Sequence, residues 1–174
     1  MQCGFTTMKK IFLIGFMTSG KSTVGKELAA ELNYAFYDLD QVIEQQTATT
    51  IARLFDQGEE FFREKERCAL RNVVEKTAEK SVIAVGGGTP CHKDNMRLML
   101  QNGIVIFLDV TEEMLAERLN NKEASRPMLQ HHDWHQLLQQ RLPFYQTAHH
   151  TIANNGTSQD AVAQILEIIK QTDI

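Results

Sequence analysis

"KIFLIGFMTSGKSTVGKELAAEL", residues 10–32, decides how the rest of the chain is read. Its first part, "KIFLIGF" (10–16), is an apolar run of strand length. Its last part, "TVGKELAAEL" (23–32), carries Val24, Leu28 and Leu32 at helical spacing. Between them "GFMTSGKST" (15–23) satisfies G-x-x-x-x-G-K-[ST]. Strand, spacing, Lys-Ser pair and helix agree, which reads as a phosphate-binding loop rather than an incidental glycine turn. Backbone N–H groups of Thr18, Ser19, Gly20, Lys21, Ser22 and Thr23 can curl around phosphate oxygens, helped by the positive end of the helix dipole. Lys21 would reach the β/γ-phosphates and the Ser22 hydroxyl would ligate Mg²⁺. Such a loop implies a nucleoside triphosphate without saying which reaction it serves.

Outward from this loop, strands and helices alternate. "YAFYDLD" (34–40) reads as a second strand, followed by a helix through "QVIEQQT". Further helices are expected at "TIARLF", 59–79, 94–102, "EEMLAERLN", 133–147 and 158–171, and further strands at 82–85, 103–110 and "TIAN". Several strands are apolar throughout, which implies a parallel sheet covered on both faces. The expected fold is therefore α/β, a doubly wound parallel sheet of about five strands. In such sheets ligands sit at the carboxyl ends of the strands, where the unusual residues fall.

Composition fits one soluble domain. The 174 residues are 43% hydrophobic and 23% charged, enough for a packed core. A net charge of −4 argues against a broad basic face for nucleic acid, while leaving anionic small substrates open. Cys3, Cys68 and Cys91 show no CxxC spacing and cannot all pair, so a reduced, cytoplasmic setting is expected. No apolar run reaches membrane-spanning length. The expected domain covers 9–174, with 1–8 as an N-terminal extension.

Three constellations at strand ends carry chemistry. Asp38 and Asp40, at i and i+2 on the second strand, would point to one side of it. One carboxylate could hold the water shell of Mg²⁺ while the other accepts a hydrogen bond from an attacking hydroxyl. The bland reading is a polar strand end with Asp40 as a helix N-cap. In "GEEFFREKE", Arg63 stands four residues after Glu59 and three before Glu66, spacing that also suits ordinary helix-surface ion pairs. Finally, "SVIAVGGGTP" (81–90) runs from a strand into Gly86, Gly87 and Gly88, where something must approach the backbone too closely for a Cβ.

The sequence resembles the shikimate kinases, small P-loop kinases related to nucleoside monophosphate kinases, from about Lys9 to residue 170. The resemblance rests on "GFMTSGKST", "FYDLDQVIE", "IARLFDQGEEFFREKE", "VIAVGGGT", "SRPML" and "RLPFYQTA", in the family's order. It implies transfer of the ATP γ-phosphate to the 3-hydroxyl of shikimate, with Mg²⁺, on the route to chorismate. ATP and shikimate would be the partners of a monomer that needs no nucleic acid or membrane. A mobile lid is expected over about 118–130 and a substrate-binding region over about 40–80. By the resemblance, Asp40 orients or deprotonates the attacking hydroxyl, and Asp38 sits in the outer shell of Mg²⁺. Arg63 and Arg141 clamp the shikimate carboxylate, Glu66 steadies Arg63 or touches a hydroxyl, and Gly86–Gly88 wall the acceptor pocket. Arg126 meets the transferring phosphoryl group, and Arg118 lies against the nucleotide side of the lid.

Some features fit the family loosely or read as bland. Thr18 stands where the loop has a small residue, often glycine. The segment between Phe55 and Gly58 is one residue shorter than the family pattern. Asn154 and Asn155, in "ANNGTSQD" (153–160), match the adenine-contacting loop only weakly. His131, His132, His149 and His150 suit solvated loops rather than a metal site. Trp134 and the methionines, Met96, Met99 and Met114 among them, read as packing residues. Apart from the resemblance, a gluconate kinase or a catalytically inactive nucleotide-binding domain would also fit the phosphate loop.

Overall fold

The computed structural model describes residues 10–77, 80–120 and 133–171. Five parallel strands form one sheet: β1 (Lys10–Ile14), β2 (Ala35–Asp38), β3 (Ser81–Ala84), β4 (Ile104–Asp109) and β5 (His150–Ala153). Their order is β2-β3-β1-β4-β5, so β1 is central: the chain crosses to the edge at β2, returns inward to β3, and then runs outward through β4 and β5. Eight helices are seen among the described residues: α1 (Lys21–Leu32), α2 (Leu39–Thr47), α3 (Ile51–Asp56), α4 (Glu59–Lys76), α5 (Asn95–Asn102), α6 (Glu112–Asn120), α7 (Trp134–Tyr145) and α8 (Ser158–Gln171).

The apolar strands are apolar throughout because both faces of the sheet are covered. Ile11, Leu13, Ile106 and Leu108 face a core shared with Val24 and Leu28 of α1 and Ile165 of α8. Phe12, Ile14, Val105 and Phe107 alternate with them and face the opposite core, with Leu70 of α4, Met99 of α5 and Tyr145 of α7. Met96 and Met99 are buried there and Met114 packs against the same cluster, as their helical spacing implied. Trp134 is also a packing residue, with its ring centroid 6.5 Å from that of Phe16.

Register then sets the site. Leu13 lies beside Ala84, Ala84 beside Asp38, and Ile14 beside Phe107. The carboxyl ends of β1, β2 and β3 are therefore level, and the segments that leave these strands emerge into the same space.

Asp38 and Asp40 do not share a strand, contrary to the expectation from their i, i+2 spacing. β2 ends at Asp38, and Asp40 already lies in the first turn of α2. Asp38 is the N-cap: its Oδ1 accepts from the Asp40 N–H at 3.1 Å. This cap starts α2 at Leu39, which is fully buried, while Asp40 stays exposed. An N-cap carboxylate of this kind contributes on the order of 1 kcal/mol. The two aspartates thus reach the site from a cap and a helix turn, not from one face of a strand.

Candidate active site

The phosphate loop runs from Gly15 to the start of α1. Lys21 Nζ donates to the carbonyls of Gly15 and Phe16, at 2.9 and 2.7 Å, and to Ser19 Oγ at 3.2 Å. Its charge is thus held against the loop's own carbonyl groups. Ser22 Oγ donates to Asp38 Oδ2 at 2.5 Å, which joins the first turn of α1 to the end of β2. A hydroxyl and a carboxylate oxygen side by side at the loop form a hard-oxygen donor set of the kind Mg²⁺ accepts.

Thr18 takes φ 61°, a left-handed backbone that glycine adopts freely and a β-branched residue does not. Its Oγ1 is buried without a hydrogen-bond partner among the described residues. The loop keeps its shape because it is tied from outside. Arg118 of α6 donates from Nη1 to the Thr18 carbonyl at 3.4 Å and from Nη2 to the Asn154 carbonyl at 3.1 Å. Asn154 Nδ2 donates to the Ser19 carbonyl at 2.6 Å. Asn154 is buried in this role, and Asn155 Oδ1 accepts from the Thr111 N–H at 2.9 Å. Both asparagine side chains therefore bond this chain's own backbone, rather than standing free for an adenine as the weak sequence match implied.

Beside the loop lie two clefts. The smaller, about 180 Å³, is lined by the phosphate loop with Asp38, Asp40, Gly86 and Gly87. The larger, about 470 Å³, is walled by Ile51, Ala52, Phe55 and Phe62 on one side and by Arg63, Glu66, Gly86–Gly88 and Arg141 on the other. Met17, Asp40, Gly86 and Gly87 line both. These four residues form a boundary common to both clefts, to which Asp40 contributes the carboxylate.

Arg63 and Arg141 are 8% and 6% exposed, an unusual degree of burial for a cation. Arg63 Nη1 donates to Glu66 Oε2 at 2.8 Å, and Nη2 pairs with Glu59 Oε1 at 3.3 Å. Phe62 and Phe55 flank the guanidinium, with centroids 5.2 and 6.0 Å from Cζ. Burial works against the Arg63 charge; the Glu66 and Glu59 carboxylates more than offset it and hold its pKa above the usual value. The helical i,i+3 and i,i+4 pairings implied by the sequence are both made, but in a buried wall rather than on a solvated face.

Arg141, on α7, lies with Cζ 5.9 Å from the Phe16 ring centroid. Cys91 is close enough to feel both arginines, yet it remains a thiol, since burial pushes it up to about 11.

The glycines answer a steric demand made mainly by the chain itself. A Cβ on Gly86 would stand 2.8 Å from Glu66 Oε1, and one on Gly88 would stand 2.6 Å from Arg63 Cζ. Gly87 is less constrained, with Arg141 Nη1 and the Met17 nitrogen at 3.3 Å. The family resemblance assigns this close approach to the acceptor; the buried side chains of α4 occupy most of it. Tyr145, fully buried, donates its hydroxyl to the Gly87 carbonyl at 2.6 Å. Thr89 donates to Glu66 Oε1 at 2.6 Å. Both lie in fragments that carry the family resemblance, "VIAVGGGT" and "RLPFYQTA", but neither has a spacing that points to this role. Arg126, with His131 and His132, lies outside the described residues, as does most of the expected lid; its first residues, 118–120, close α6.

The comparisons with known proteins agree with this geometry. Residues 17–170 match the family model described as shikimate kinase. A shikimate kinase of Sulfurihydrogenibium is 41% identical over 168 residues, covering 94% of this chain and 99% of that protein. The crystal structure of a Bacteroides thetaiotaomicron shikimate kinase superposes with a TM-score of 0.85 at 37% identity, over 92% of this chain and 98% of that one. An Acinetobacter baumannii shikimate kinase, solved in complex with shikimate, gives 0.86 at 35% identity, over 98% and 97%. With its phosphate loop and parallel sheet, the chain is a P-loop kinase and belongs to the shikimate kinase family.

Proposed function

We propose that the chain transfers the γ-phosphoryl group of ATP to the 3-hydroxyl of shikimate, giving shikimate 3-phosphate, with Mg²⁺ as the metal. The observation that carries this reading is the junction of the two clefts at Asp40. An anion in the larger cleft and a polyphosphate in the smaller one would meet along the wall that Asp40 shares with Met17, Gly86 and Gly87. Family membership and the shikimate-bound Acinetobacter relative supply the acceptor's identity.

Each residue then has a task. The N–H groups of Thr18–Thr23 and the Lys21 ammonium bind the phosphates and offset the charge that spreads over them in the transition state. Ser22 and Asp38 would hold the metal, Asp38 through its water shell, and the ion would supply positive charge against the phosphates. Arg63 and Arg141 take the acceptor carboxylate, their planar forks suiting a two-point grip. Ile51, Ala52, Phe55 and Phe62 cover the carbon face of the ring, and Gly86–Gly88 leave room for its other edge. Asp40 accepts a hydrogen bond from the attacking hydroxyl and aims it at the phosphorus. Arg118 keeps the loop in shape at its nucleotide end. No covalent enzyme intermediate is needed, because positioning and charge neutralisation supply the rate. Free Cys68 and Cys91 suit a reducing compartment, and the cytoplasm is the expected place of action.

The test is ADP release from Mg²⁺ATP with shikimate, gluconate and nucleoside monophosphates in parallel. Shikimate alone should support turnover. Preference for either other acceptor, or none at all, would overturn the reading.

A further inference from the structure

We propose that Thr89 is a positioning residue for acceptor recognition, acting through Glu66 on Arg63. Thr89 is fully buried and lines neither cleft of the site, so it touches no reactant. Its hydroxyl donates to Glu66 Oε1 at 2.6 Å, while the other carboxylate oxygen, Oε2, accepts from Arg63 Nη1 at 2.8 Å. Glu66 is 0% exposed, so both of its oxygens depend on these protein donors. The carboxylate is thereby fixed as a bracket between Thr89 and Arg63.

The backbone of Thr89 is anchored independently of that hydroxyl. Its N–H donates to the Gly86 carbonyl at 3.1 Å, and its carbonyl accepts from Asn95 Nδ2 at 3.0 Å. The hydroxyl therefore marks a fixed point relative to the glycine wall, and removing it leaves the turn tied at both ends. What it controls is the direction in which Arg63 presents its fork. A guanidinium gripped through one edge has its remaining N–H groups aimed by that grip.

Without the Thr89 hydroxyl, Glu66 Oε1 is a buried acceptor with no donor, and the carboxylate gains by rotating. Arg63 would then follow Glu66 or lean toward its other partner, Glu59, which is 3.3 Å away and 53% exposed. Either movement spoils the aim of Arg63 at an acceptor carboxylate. The phosphate loop is tied to other elements, through Arg118 and Asn154. The effect should therefore fall on the acceptor and spare the nucleotide.

This inference rests on shikimate being the acceptor, and its test keeps the two claims apart. Wild type, Thr89→Val and Thr89→Ser are compared in steady-state assays with shikimate and ATP each varied. Thr89→Val should raise KM for shikimate about tenfold, the size of effect expected when one buried carboxylate oxygen loses its donor. Its kcat and KM for ATP should stay within about twofold of wild type, a change well under one hydrogen bond's worth. Thr89→Ser, which keeps the hydroxyl, should restore the shikimate KM. If the valine variant is not recovered folded, Thr89→Ala leaves the same oxygen unpaired with less bulk and is read the same way. An unchanged shikimate KM, parallel losses for ATP and shikimate, or no rescue by serine would overturn the proposal. A wild-type protein inactive on shikimate would instead overturn the functional reading itself, and this inference with it.

Discussion

Gly88 and Arg63 are packed so closely that the guanidinium fills the space a side chain on Gly88 would need. Arg63 Cζ and Nη1 both lie 2.6 Å from where a Cβ would stand. Because φ at Gly88 is −88°, the requirement is one of room and not of backbone freedom.

Gly88→Ala should therefore displace Arg63, with an overpacking cost of about 1–3 kcal/mol. With Arg63 misplaced for the acceptor carboxylate, the shikimate KM should rise about ten- to a hundredfold, with ATP binding preserved. Gly87→Ala, whose added methyl meets its nearest neighbours at 3.3 Å, should do less. Calorimetric titration of both variants with each ligand checks the order. A larger acceptor defect at Gly87 than at Gly88 would contradict it.

Lys21→Ala should abolish turnover, by at least about a hundredfold, because the ammonium acts on charge that develops during transfer. The fold should survive, since Lys21 is only half-buried and its bonds are to nearby loop atoms. Circular dichroism and the ADP-release assay, run on the same preparation, separate the two effects. Near-normal turnover in a folded variant would contradict the loop assignment.

Thr18→Gly should stabilise the protein by about 1 kcal/mol, the usual cost of holding an L side chain in the left-handed region. It also removes a buried hydroxyl oxygen that has no hydrogen-bond partner among the described residues. Urea unfolding measures this directly, and a less stable Thr18→Gly protein would show that the threonine is held there at a net gain.

These residues also show how far the sequence can be read. The phosphate loop and the alternating apolar strands are legible because each signal is local and the parallel sheet demands both faces be apolar. "YDLD" misleads because a two-residue period and the first turn of a helix both place Asp38 and Asp40 near one another. What separates the two is where β2 stops pairing and Asp38 caps α2, and the sequence does not mark that boundary. The glycines stand out in the local sequence, yet their neighbours come from α4, an earlier helix whose approach to them no spacing reveals. Thr89 and Tyr145 sit in family-like fragments, yet no spacing points to their roles, which depend on the atoms that fold against them.

One pH dependence arises at the edge of the sheet. His149 Nδ1 accepts from the Val105 N–H at 3.0 Å, which requires that nitrogen to be unprotonated. Burial, with the neighbouring His150, holds the His149 pKa below its ordinary 6.5. The unfolded chain therefore takes up a proton at a higher pH than the folded one does. This contribution to stability is present above pH 6.5 and is lost as the pH falls toward the depressed folded value. The ring is exposed on one side, so the effect is small, and it is best seen as a difference. The gap in Tm between wild type and His149→Gln should shrink on acidification from pH 7.5 to about 5. A gap independent of pH would contradict the assignment.

The proposed chemistry turns on one placement: the acceptor carboxylate on Arg63 and Arg141, with one particular hydroxyl delivered to Asp40. Proton-coupled ³¹P NMR of the product formed from Mg²⁺ATP and shikimate tests this most directly, because it reports which hydroxyl received phosphorus. A single phosphomonoester signal coupled to the ring proton at carbon 3 is expected. A phosphomonoester at another hydroxyl, or ATP consumed only to inorganic phosphate, would contradict that placement.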